Sequence, residues 1–465
     1  MNIPIVFKDE SIKKAMEVVN KHGLGVVFVV DENNKFVGVA TDGDIRRAIL
    51  NGISTNAKIS DIMNKNPIKI YDFWNGKKLK DYLNSQELKK KIPEFKALIV
   101  PILTKDNEIM GIKAIYKDRD NGQYSMIPPE KYSKPKRILV IGGAGYIGSV
   151  LVRMLLEQGY YVKVMDNLLY GDEGIRDVYD KENFEFFKKD IINISHVVEA
   201  MKDADAVVHL AAIVGDPASS IKPKETLETN YFSTKMLGEV AKYIGISKFI
   251  FASTCSVYGF KDGICSEWSE PNPLSLYAET KLMSEKALLE LKGNSFCPVI
   301  LRFATAYGLS PRMRFDLVVN LLIAKSLIDK EITVFGEGKQ YRPFVHIKDI
   351  SRAIIKVLRA PPDVVHGEVF NVGSDEQNLS IKELAEKIKQ KIPNAELKFI
   401  REKEDDRSYT VAFRKIREKL SFRPKYTIEN AIEEIKEAFT KGYIKDYRDK
   451  RYYNNYRDLK EVVSF

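Results

Sequence analysis

The chain has 465 residues, of which 44% are hydrophobic and 30% charged, and it carries a formal net charge of +10. This length predicts two or three domains, and the composition is typical of a soluble globular protein with a sizeable core. No apolar run is long enough to span a membrane, and the N-terminus lacks the basic start and apolar stretch of a signal peptide. We therefore predict a cytoplasmic protein that does not associate with membranes.

Neither the positive charge nor the cysteines indicate a specialised class of protein. Lysine and glutamate are interspersed along the chain, and the longest basic run, Lys89–Lys91, is short. This pattern favours a charged, solvated surface over a nucleic-acid site, and an excess of positive charge suits an anionic nucleotide substrate. Cys255, Cys265 and Cys297 have neither the spacing of a disulfide framework nor that of metal ligands, so we predict no metal site.

Two similar units follow each other in residues 1–120. In the first, two strand-like stretches, Gly25–Val30 and Phe36–Ala40, flank a polar turn and lead into a short helix. In the second, Ala97–Leu103 and Ile109–Ile112 flank another polar turn. A strand–turn–strand pattern that occurs twice indicates an internal repeat.

The N-terminal part, residues 1–122, resembles a pair of CBS domains, a tandem regulatory α/β module. In that family a Thr-x-x-Asp after the hairpin holds the ribose and phosphate of an adenine nucleotide, and Thr41 and Asp44 match it. Ala114 and Lys117 occupy the equivalent positions of the second unit, so the resemblance implies at most one such site. Alternatively, Asp44 only caps the helix that follows.

Residues 123–136 are polar and proline-containing, and we predict a linker there. From residue 137 the pattern is strand, helix, strand: Arg137–Ile141, Ser149–Gln158 and Tyr161–Met165. The alternation continues downstream and predicts an α/β, Rossmann-type doubly wound parallel sheet over the N-terminal half of a 137–465 domain. The stretch after about residue 300 mixes short strands and helices, which predicts a small C-terminal subdomain covering the substrate.

A glycine-rich loop follows the first of these strands directly. Gly142, Gly145 and Gly148 form a Gly-x-x-Gly-x-x-Gly motif that opens a helix. Such glycines permit a tight turn and a close approach of the backbone to a diphosphate, which the helix N-terminus also attracts. Asp166 ends the next strand, where a carboxylate accepts hydrogen bonds from an adenosine ribose and repels a 2′-phosphate. We therefore predict NAD rather than NADP as the cofactor.

A second motif, Tyr277-x-x-x-Lys281, lies on a predicted helix. Residues four apart share a helix face, so the Lys281 ammonium can lower the pKa of the Tyr277 phenol. Tyr277 then takes a proton from a substrate hydroxyl while hydride leaves the same carbon. Thr254, which ends an earlier strand, would orient that hydroxyl, and Asn230 would support this geometry from a neighbouring helix.

The motifs in residues 137–465 together resemble those of extended short-chain dehydrogenases/reductases, the NAD-dependent nucleotide-sugar epimerases and dehydratases. Besides the glycine loop and the Tyr-Lys pair, the resemblance rests on Ser253–Gly259, which ends in Val-Tyr-Gly, on Arg342–Asp349, and on Asp406-Arg407. It implies NAD as cofactor, a nucleotide-diphosphate sugar as substrate, and a homodimer or homotetramer.

The resemblance also implies roles for individual residues. The catalytic residues would be Thr254, Tyr277 and Lys281. The cofactor would be bound by Gly142, Gly145, Tyr146, Ile147, Gly148, Asp166, Asn167, Asp190, Ile191, Leu210, Ala211, Ala212, Asn230, Tyr277 and Lys281. The substrate would be bound by Ser256, Thr305, Asn320, Arg342 and Arg407.

The residues before Val-Tyr-Gly bear on the reaction. A 4,6-dehydratase of this family carries Asp and Glu where this chain has Cys255 and Ser256, and elimination of water needs that acid and base. A C4 epimerase oxidises C4 and returns the hydride to the other face, and it needs no such additional acid and base. We therefore predict C4 epimerisation. Val214–Pro217 and Ser310–Asn320 look more like a subgroup that includes GDP-heptose 4-dehydrogenases, which leaves net oxidation open. A third alternative is a nucleotide-sensing regulatory protein with an inactive dehydrogenase half.

Overall fold

The computed structural model describes residues 3–22, 24–85, 88, 98–117, 124–127, 137–261, 263–293, 296–400 and 408–453. The chain divides into two compact units. The first comprises Met1–Pro135 with Pro361–Asp363, and the second comprises Lys136–Ala360 with Val364–Phe465. The limits of the domains at 1–122 and 137–465 remain predictions.

The N-terminal unit contains two small sheets. The first has three strands in the order Ile5–Phe7, Val26–Val30 and Phe36–Thr41. The second has four strands in the order Ile70–Tyr71, Leu98–Leu103, Ile109–Lys117 and Tyr124–Ile127. The helical segments among the described residues of this unit include Ile12–His22, Asp42–Leu50, Ile59–Asp61 and Gly76–Leu83.

The central hairpins of the two sheets share two irregularities. The strand pairing shifts in register between Val29 and Val30 in the first hairpin, and between Ile102 and Leu103 in the second. The turn residue Asn34 has a φ of 59° and its counterpart Asn107 has a φ of 63°. Asparagine adopts this left-handed conformation more readily than most residues. The internal repeat predicted from the sequence is therefore present in the structure.

The linker prediction is wrong for Tyr124–Ile127. These residues form a strand that pairs antiparallel with the end of the second hairpin, from Lys117 opposite Tyr124 to Ala114 opposite Ile127. An otherwise unpaired hairpin edge offers backbone donors and acceptors, and this short segment uses them regardless of its polar neighbours. The rest of the predicted linker, residues 123 and 128–136, lies outside the described residues.

A seven-stranded parallel sheet forms the framework of the second unit, which confirms the predicted Rossmann-type fold. In spatial order the strands are Phe184–Lys188, Tyr161–Asp166, Arg137–Ile141, Ala206–His209, Lys248–Thr254, Cys297–Phe303 and Val369–Val372. From Arg137–Ile141 the chain adds strands first toward one edge of the sheet and then, starting with Ala206–His209, toward the other edge. In doubly wound sheets, ligands bind at the carboxyl ends of the strands beside such a reversal.

Helices cover both faces of this sheet because alternate strand residues face opposite sides. Ile138 and Val140 pack with helices Tyr146–Glu157 and Ile347–Arg359. The intervening residue Leu139 packs on the other face, in a core formed with helices Ile194–Met201, Ser233–Ile244 and Leu276–Glu290. Shorter helical segments are Arg176–Val178, Asp216–Ile221, Pro223–Leu227, Glu228–Phe232, Cys255–Tyr258, Pro362–Val365, Asp375–Gln377 and Lys450–Tyr452.

The remaining elements form the predicted C-terminal subdomain. Its strands make three small sheets: Thr305–Tyr307 with Tyr341–His346 and Asn378–Ser380, Glu331–Phe335 with Glu396–Ile400, and Ile264–Cys265 with Thr410–Val411. Its helices are Val318–Ile328, Ile381–Lys391, Arg414–Leu420 and Ile428–Thr440. Across the described part of the chain, no helix combines the length and apolar character needed to cross a membrane.

The Arg342–Asp349 stretch joins this subdomain to the sheet-covering helix Ile347–Arg359. His346 caps that helix, and its Nε2 lies 3.2 Å from the carboxylate of Glu434 on helix Ile428–Thr440. Lys348 donates to the same carboxylate over 2.6 Å. Asp349 is buried and accepts hydrogen bonds from the backbone of residues 425 and 426. The polar residues of this motif therefore hold the two layers together.

Candidate active site

The glycine loop has the close packing that its motif predicts. Gly142 has a φ of 83°, and a Cβ there would come within 2.6 Å of the Ala211 backbone nitrogen. A Cβ on Gly148 would overlap the carbonyl oxygen of Gly142. The loop therefore turns tightly, and helix Tyr146–Glu157 begins close against it. The first backbone N–H groups of a helix have no partner within it and can bind an anion.

Asp166 ties this loop to the neighbouring strand. One carboxylate oxygen accepts a hydrogen bond of 3.0 Å from the Ala144 N–H, and the other accepts one of 2.9 Å from the Leu168 N–H. Burial raises the pKa of this carboxyl group, while the two N–H donors act in the opposite direction. A carboxylate has about four acceptor positions, so two remain to accept the hydroxyl groups of an adenosine ribose.

A cavity of about 590 Å³ lies at the carboxyl ends of the strands. Its size is in the range of cofactor-binding sites. Seventeen residues predicted to bind cofactor or substrate or to act in catalysis line it, namely Gly142, Gly145, Tyr146, Ile147, Gly148, Asp166, Asn167, Asp190, Ile191, Leu210, Ala211, Ala212, Thr254, Ser256, Tyr277, Lys281 and Thr305. The glycine loop, the Asp166 carboxylate and the cavity together fit NAD.

Lys281 and Tyr277 lie one turn apart on helix Leu276–Glu290, and both line the cavity. Lys281 is buried, and its Nζ donates a hydrogen bond of 2.8 Å to the Ala252 carbonyl and lies 4.6 Å from the centre of the Phe251 ring. Burial lowers the pKa of Lys281 to about 7, although the charge of Glu285 raises it. The ammonium is therefore held in a fixed position at the end of the strand that carries Thr254.

Thr254 begins the short helical turn Cys255–Tyr258. Its hydroxyl oxygen accepts a hydrogen bond of 3.0 Å from the Ser256 N–H, and its hydroxyl donates to the Ser256 hydroxyl over 3.0 Å. Cys255 is buried and directs its thiol at the Arg302 carbonyl, and burial raises the pKa of that thiol. Of the two positions that carry acids in dehydratases, only Ser256 therefore lines the cavity.

Asn230 makes contacts that fit the supporting role predicted for it. It is buried in the π-helical turn Glu228–Phe232, and its side chain makes two hydrogen bonds, of 2.8 and 3.0 Å, to the backbone of Ile213. It also donates to Thr280, which lies between Tyr277 and Lys281 in the sequence. Asn230 lies outside the cavity lining, and these contacts let it support the cavity wall and the helix that carries Tyr277 and Lys281. Its contact with the cofactor stays a prediction.

The predicted substrate role of Asn320 is not supported. Its side-chain oxygen accepts from the Gly308 N–H, and its two amide hydrogens are donated to the Tyr146 hydroxyl and the Arg314 carbonyl. Asn320 is fully buried, and its side-chain amide has no donor left for a diphosphate. It instead fastens the segment after Gly308 to the first turn of helix Tyr146–Glu157.

The roles of the two predicted substrate arginines stay predictions. Arg342 is outside the cavity lining, with its guanidinium 5.7 Å from the ring centre of Tyr409, which does line the cavity. Its contact with substrate stays a prediction. Arg407 lies outside the described residues.

Sequence reasoning missed several residues that line the cavity: Tyr170, Arg312, Arg314, Leu317 and Tyr409. Arg314 is buried and paired with Asp316 over 2.5 Å, which raises the pKa of Arg314. The two arginines in Ser310–Asn320 were the available signal, but that stretch has no periodic pattern that would indicate which side chains face inward.

Residues 138–373 match the model of the NAD dependent epimerase/dehydratase family. The chain belongs to this family. Membership confirms the predicted fold, the NAD cofactor and the enzyme class. Residues 1–51 match the CBS domain model, which confirms a CBS domain at the N-terminus.

The curated proteins and solved structures to which the chain is similar include enzymes of UDP-sugars. The chain is 34% identical to the "Uncharacterized UDP-glucose epimerase YtcB" of Bacillus subtilis, over 53% of this chain and 79% of the relative. It is 32% identical to a UDP-N-acetyl-alpha-D-glucosaminuronate decarboxylase of Bacillus cytotoxicus, over 55% of this chain and 80% of the relative. The crystal structure of UDP-glucuronic acid 4-epimerase from Bacillus cereus with UDP-glucuronic acid and NAD is 32% identical, with a TM-score of 0.58 over 66% of this chain and 100% of that one.

Proposed function

We propose that this family member is an NAD-dependent C4 epimerase of UDP-hexoses or UDP-hexuronates. The observation that carries the proposal is the convergence of Thr254, Tyr277 and Lys281 on the cavity that the glycine loop borders, with Ser256 at the remaining acid position. The relatives named above act on UDP-sugars by their printed names, which supports uridine as the base.

The side chains divide the proton chemistry among them. Lys281, held by the Ala252 carbonyl, lowers the pKa of the Tyr277 phenol and favours its ionised form. Tyr277 then removes the proton of the C4 hydroxyl, which the Thr254 hydroxyl orients. Bound NAD supplies the hydride acceptor and donor. After the ketone has presented its other face, Tyr277 returns the proton to the C4 oxygen, which gives the inverted alcohol.

The side chains around C4 disfavour competing eliminations. Removal of water between C5 and C6 needs a carboxylic acid and a base, and neither the Ser256 hydroxyl nor the buried Cys255 thiol supplies these at neutral pH.

Decarboxylation is a competing reaction that these side chains do not disfavour. Loss of CO₂ needs no additional acid once a uronic acid carries a C4 ketone, because the ketone stabilises the developing carbanion. Decarboxylases among the relatives make this the second candidate function for a uronate substrate.

The test is turnover of a panel of UDP-, GDP- and dTDP-sugars by the full-length protein with NAD⁺. Nicotinamide absorbance and the NMR spectrum of the sugar are followed in one sample. A C4-inverted UDP-sugar without accumulation of NADH supports the proposal. A pentose product selects decarboxylation, and NADH rising together with a 4-keto product, particularly from a GDP-sugar, selects the 4-dehydrogenase alternative.

We also propose adenine-nucleotide binding at Thr41 and Asp44. In the structure these residues form a reciprocal cap: the Asp44 carboxylate accepts from the Thr41 N–H at 2.9 Å and from its hydroxyl at 2.7 Å, and Arg47 pairs with the same carboxylate. The capping role considered from the sequence therefore exists, and a nucleotide would have to compete with it. Calorimetry of the full-length protein with AMP, ADP and ATP tests this, and sedimentation tests the predicted homodimer or homotetramer.

A further inference from the structure

Arg312 carries a buried guanidinium whose hydrogen-bonding capacity is mostly unused. The residue is 4% exposed, and its Nε and one terminal nitrogen have no hydrogen-bond partner among the residues that the structure describes. Its other terminal nitrogen reaches only the Met313 carbonyl, over 3.5 Å. The guanidinium lies 4.4 Å from the centre of the Tyr170 ring. Burial and the neighbouring charge of Arg314 lower the pKa of Arg312 to about 10, although the charges of Asp316 and Asp166 act in the opposite direction.

The neighbouring arginine, Arg314, does have an acceptor for its guanidinium, so the lack of one is specific to Arg312 within this pair. Arg314 is equally buried, but the Asp316 carboxylate takes two hydrogen bonds from its guanidinium, over 3.0 and 2.5 Å. Withdrawing a charged group from water without an acceptor costs several kcal/mol, so an unmatched buried arginine lowers stability unless a ligand supplies the anion.

The position of Arg312 indicates which anion that is. Its Cβ lies 3.2 Å from the point where a Cβ on Gly174 would stand, and Gly174 packs directly on the Ala144 carbonyl of the glycine loop. Arg312 lines the same cavity as Gly145 and Asp166. Asp166 lines this part of the cavity too, but its printed hydrogen bonds are with the N–H groups of Ala144 and Leu168 and not with the guanidinium.

We infer that Arg312 binds the diphosphate of the cofactor, from the side opposite the N-terminus of helix Tyr146–Glu157. A guanidinium donates two parallel hydrogen bonds to phosphate oxygens, and here the helix N–H groups and the arginine would enclose the diphosphate between them. Arg312 belongs to the segment Ser310–Asn320 of the substrate subdomain, so that subdomain contributes directly to cofactor affinity. The inference rests on NAD binding and not on the C4 reaction.

The experiment compares Arg312→Met with a matched arginine control in the full-length protein, after copurified nucleotide has been dialysed away. Methionine keeps an apolar contact for Tyr170 and removes the charge. Arg176→Met is the control, because Arg176 pairs with Asp172 at the surface near the same loop and lies outside the cavity lining. Calorimetry is carried out with NAD⁺, ADP-ribose, adenosine and UDP.

We expect Arg312→Met to weaken binding of NAD⁺ and ADP-ribose roughly tenfold to hundredfold, the usual effect of losing a charge-assisted hydrogen bond. Adenosine and UDP should bind as before, and Arg176→Met should change none of the four. Arg312→Lys, which keeps the charge but loses the paired donors, should fall between. Unchanged NAD⁺ affinity in Arg312→Met, or a loss confined to UDP, would overturn the inference.

Thermal unfolding separates this role from a structural one. Without cofactor, Arg312→Met should unfold at the same temperature as the wild type or a higher one, because an unmatched buried charge has been removed. The increase in Tm that NAD⁺ causes should shrink in the variant. A lower Tm in the absence of cofactor, with an unchanged NAD⁺-induced increase, would assign Arg312 to folding alone. Failure of the wild type to epimerise any UDP-sugar would leave these binding results unaffected.

Discussion

The Nζ atom of Lys281 donates a hydrogen bond of 2.8 Å to the carbonyl oxygen of Ala252. This contact joins the helix that carries Tyr277 to the strand that ends in Thr254, so the residues proposed to orient and to accept the substrate proton share one rigid connection. The lysine is buried, and burial lowers its pKa to about 7.

Replacing Tyr277 by Phe removes the group that we propose to exchange the proton with the C4 oxygen. We expect kcat for UDP-sugar epimerisation to fall by roughly 10² to 10⁴, the usual contribution of a positioned acid–base group, with NAD⁺ affinity nearly unchanged. Tyr243→Phe is the matched control, since Tyr243 is 93% exposed on helix Ser233–Ile244. A Tyr277→Phe enzyme with full turnover would contradict the mechanism.

Burial of Lys281 makes stability depend on pH in a predictable direction. Its folded pKa of about 7 is below the ordinary 10.5, so between these values the unfolded chain binds the proton that the folded protein lacks. Stability contributed by this group therefore rises with pH across that window, by about 1 kcal/mol per pH unit.

The measurement is urea unfolding of the cofactor-free wild type and Lys281→Met between pH 7 and 9.5. The difference in unfolding free energy should move in favour of the wild type as pH rises. A constant difference would mean that Lys281 keeps its proton in the folded protein.

The interaction of Glu434 with His346 and Lys348 predicts a dependence of the same sign at acid pH, where stability again rises with pH. Burial opposes ionisation of Glu434, but hydrogen bonds and charge from His346 and Lys348 hold its pKa at about 2. The ionised carboxylate therefore contributes stability fully above the ordinary value of 4.5, and this contribution is lost as pH falls through 2. We expect Glu434→Gln to lose about 2 kcal/mol of unfolding free energy at pH 7.

That loss should narrow progressively between pH 4.5 and 2, followed by urea unfolding at each pH. Glu437→Gln is a suitable control, because Glu437 lies on the same helix but pairs with Lys441 at the surface. An equal loss in both variants would show that the joint at His346 adds no special stability.

Gly148→Ala tests the packing of the glycine loop. The added methyl group would meet the Gly142 carbonyl, so the loop must move away from the helix and distort the diphosphate site. We expect at least a tenfold loss of NAD⁺ affinity, measured by calorimetry. Gly76→Ala, on another helix, has no neighbouring atom within 4 Å of the added carbon and should bind NAD⁺ normally. Normal NAD⁺ binding by both variants would contradict the inference that close packing at Gly148 shapes the diphosphate site.

Sequence patterns located the residues whose positions follow from the sheet. Gly142, Asp166 and Thr254 stand at the carboxyl ends of parallel strands, and that topology alone brings them to one edge. Lys281 followed from helix periodicity. The sequence did not predict side-chain directions in irregular segments. There the direction depends on tertiary packing, and no helix or strand periodicity indicates it.

Asn320 and Arg312 illustrate that limit. Both lie in or beside an irregular segment, and the fold directs the amide into the protein and the guanidinium into the cavity. The strand Tyr124–Ile127 was missed for a different reason: it pairs with the edge of the preceding hairpin, but its own neighbours are polar and show no strand pattern.

The attachment of residues 308–320 to helix Tyr146–Glu157 limits how this enzyme can be recombined with its relatives. The Tyr146 hydroxyl donates to the Gly308 carbonyl over 2.7 Å and accepts from Asn320, and the Ser149 and Ser310 hydroxyls lie 2.9 Å apart. A chimera joined near residue 300, to exchange one sugar specificity for another, would part these pairs. The graft would bring its own counterparts of Gly308, Ser310 and Asn320, but their partners Tyr146 and Ser149 lie far upstream of the join and would also have to be exchanged.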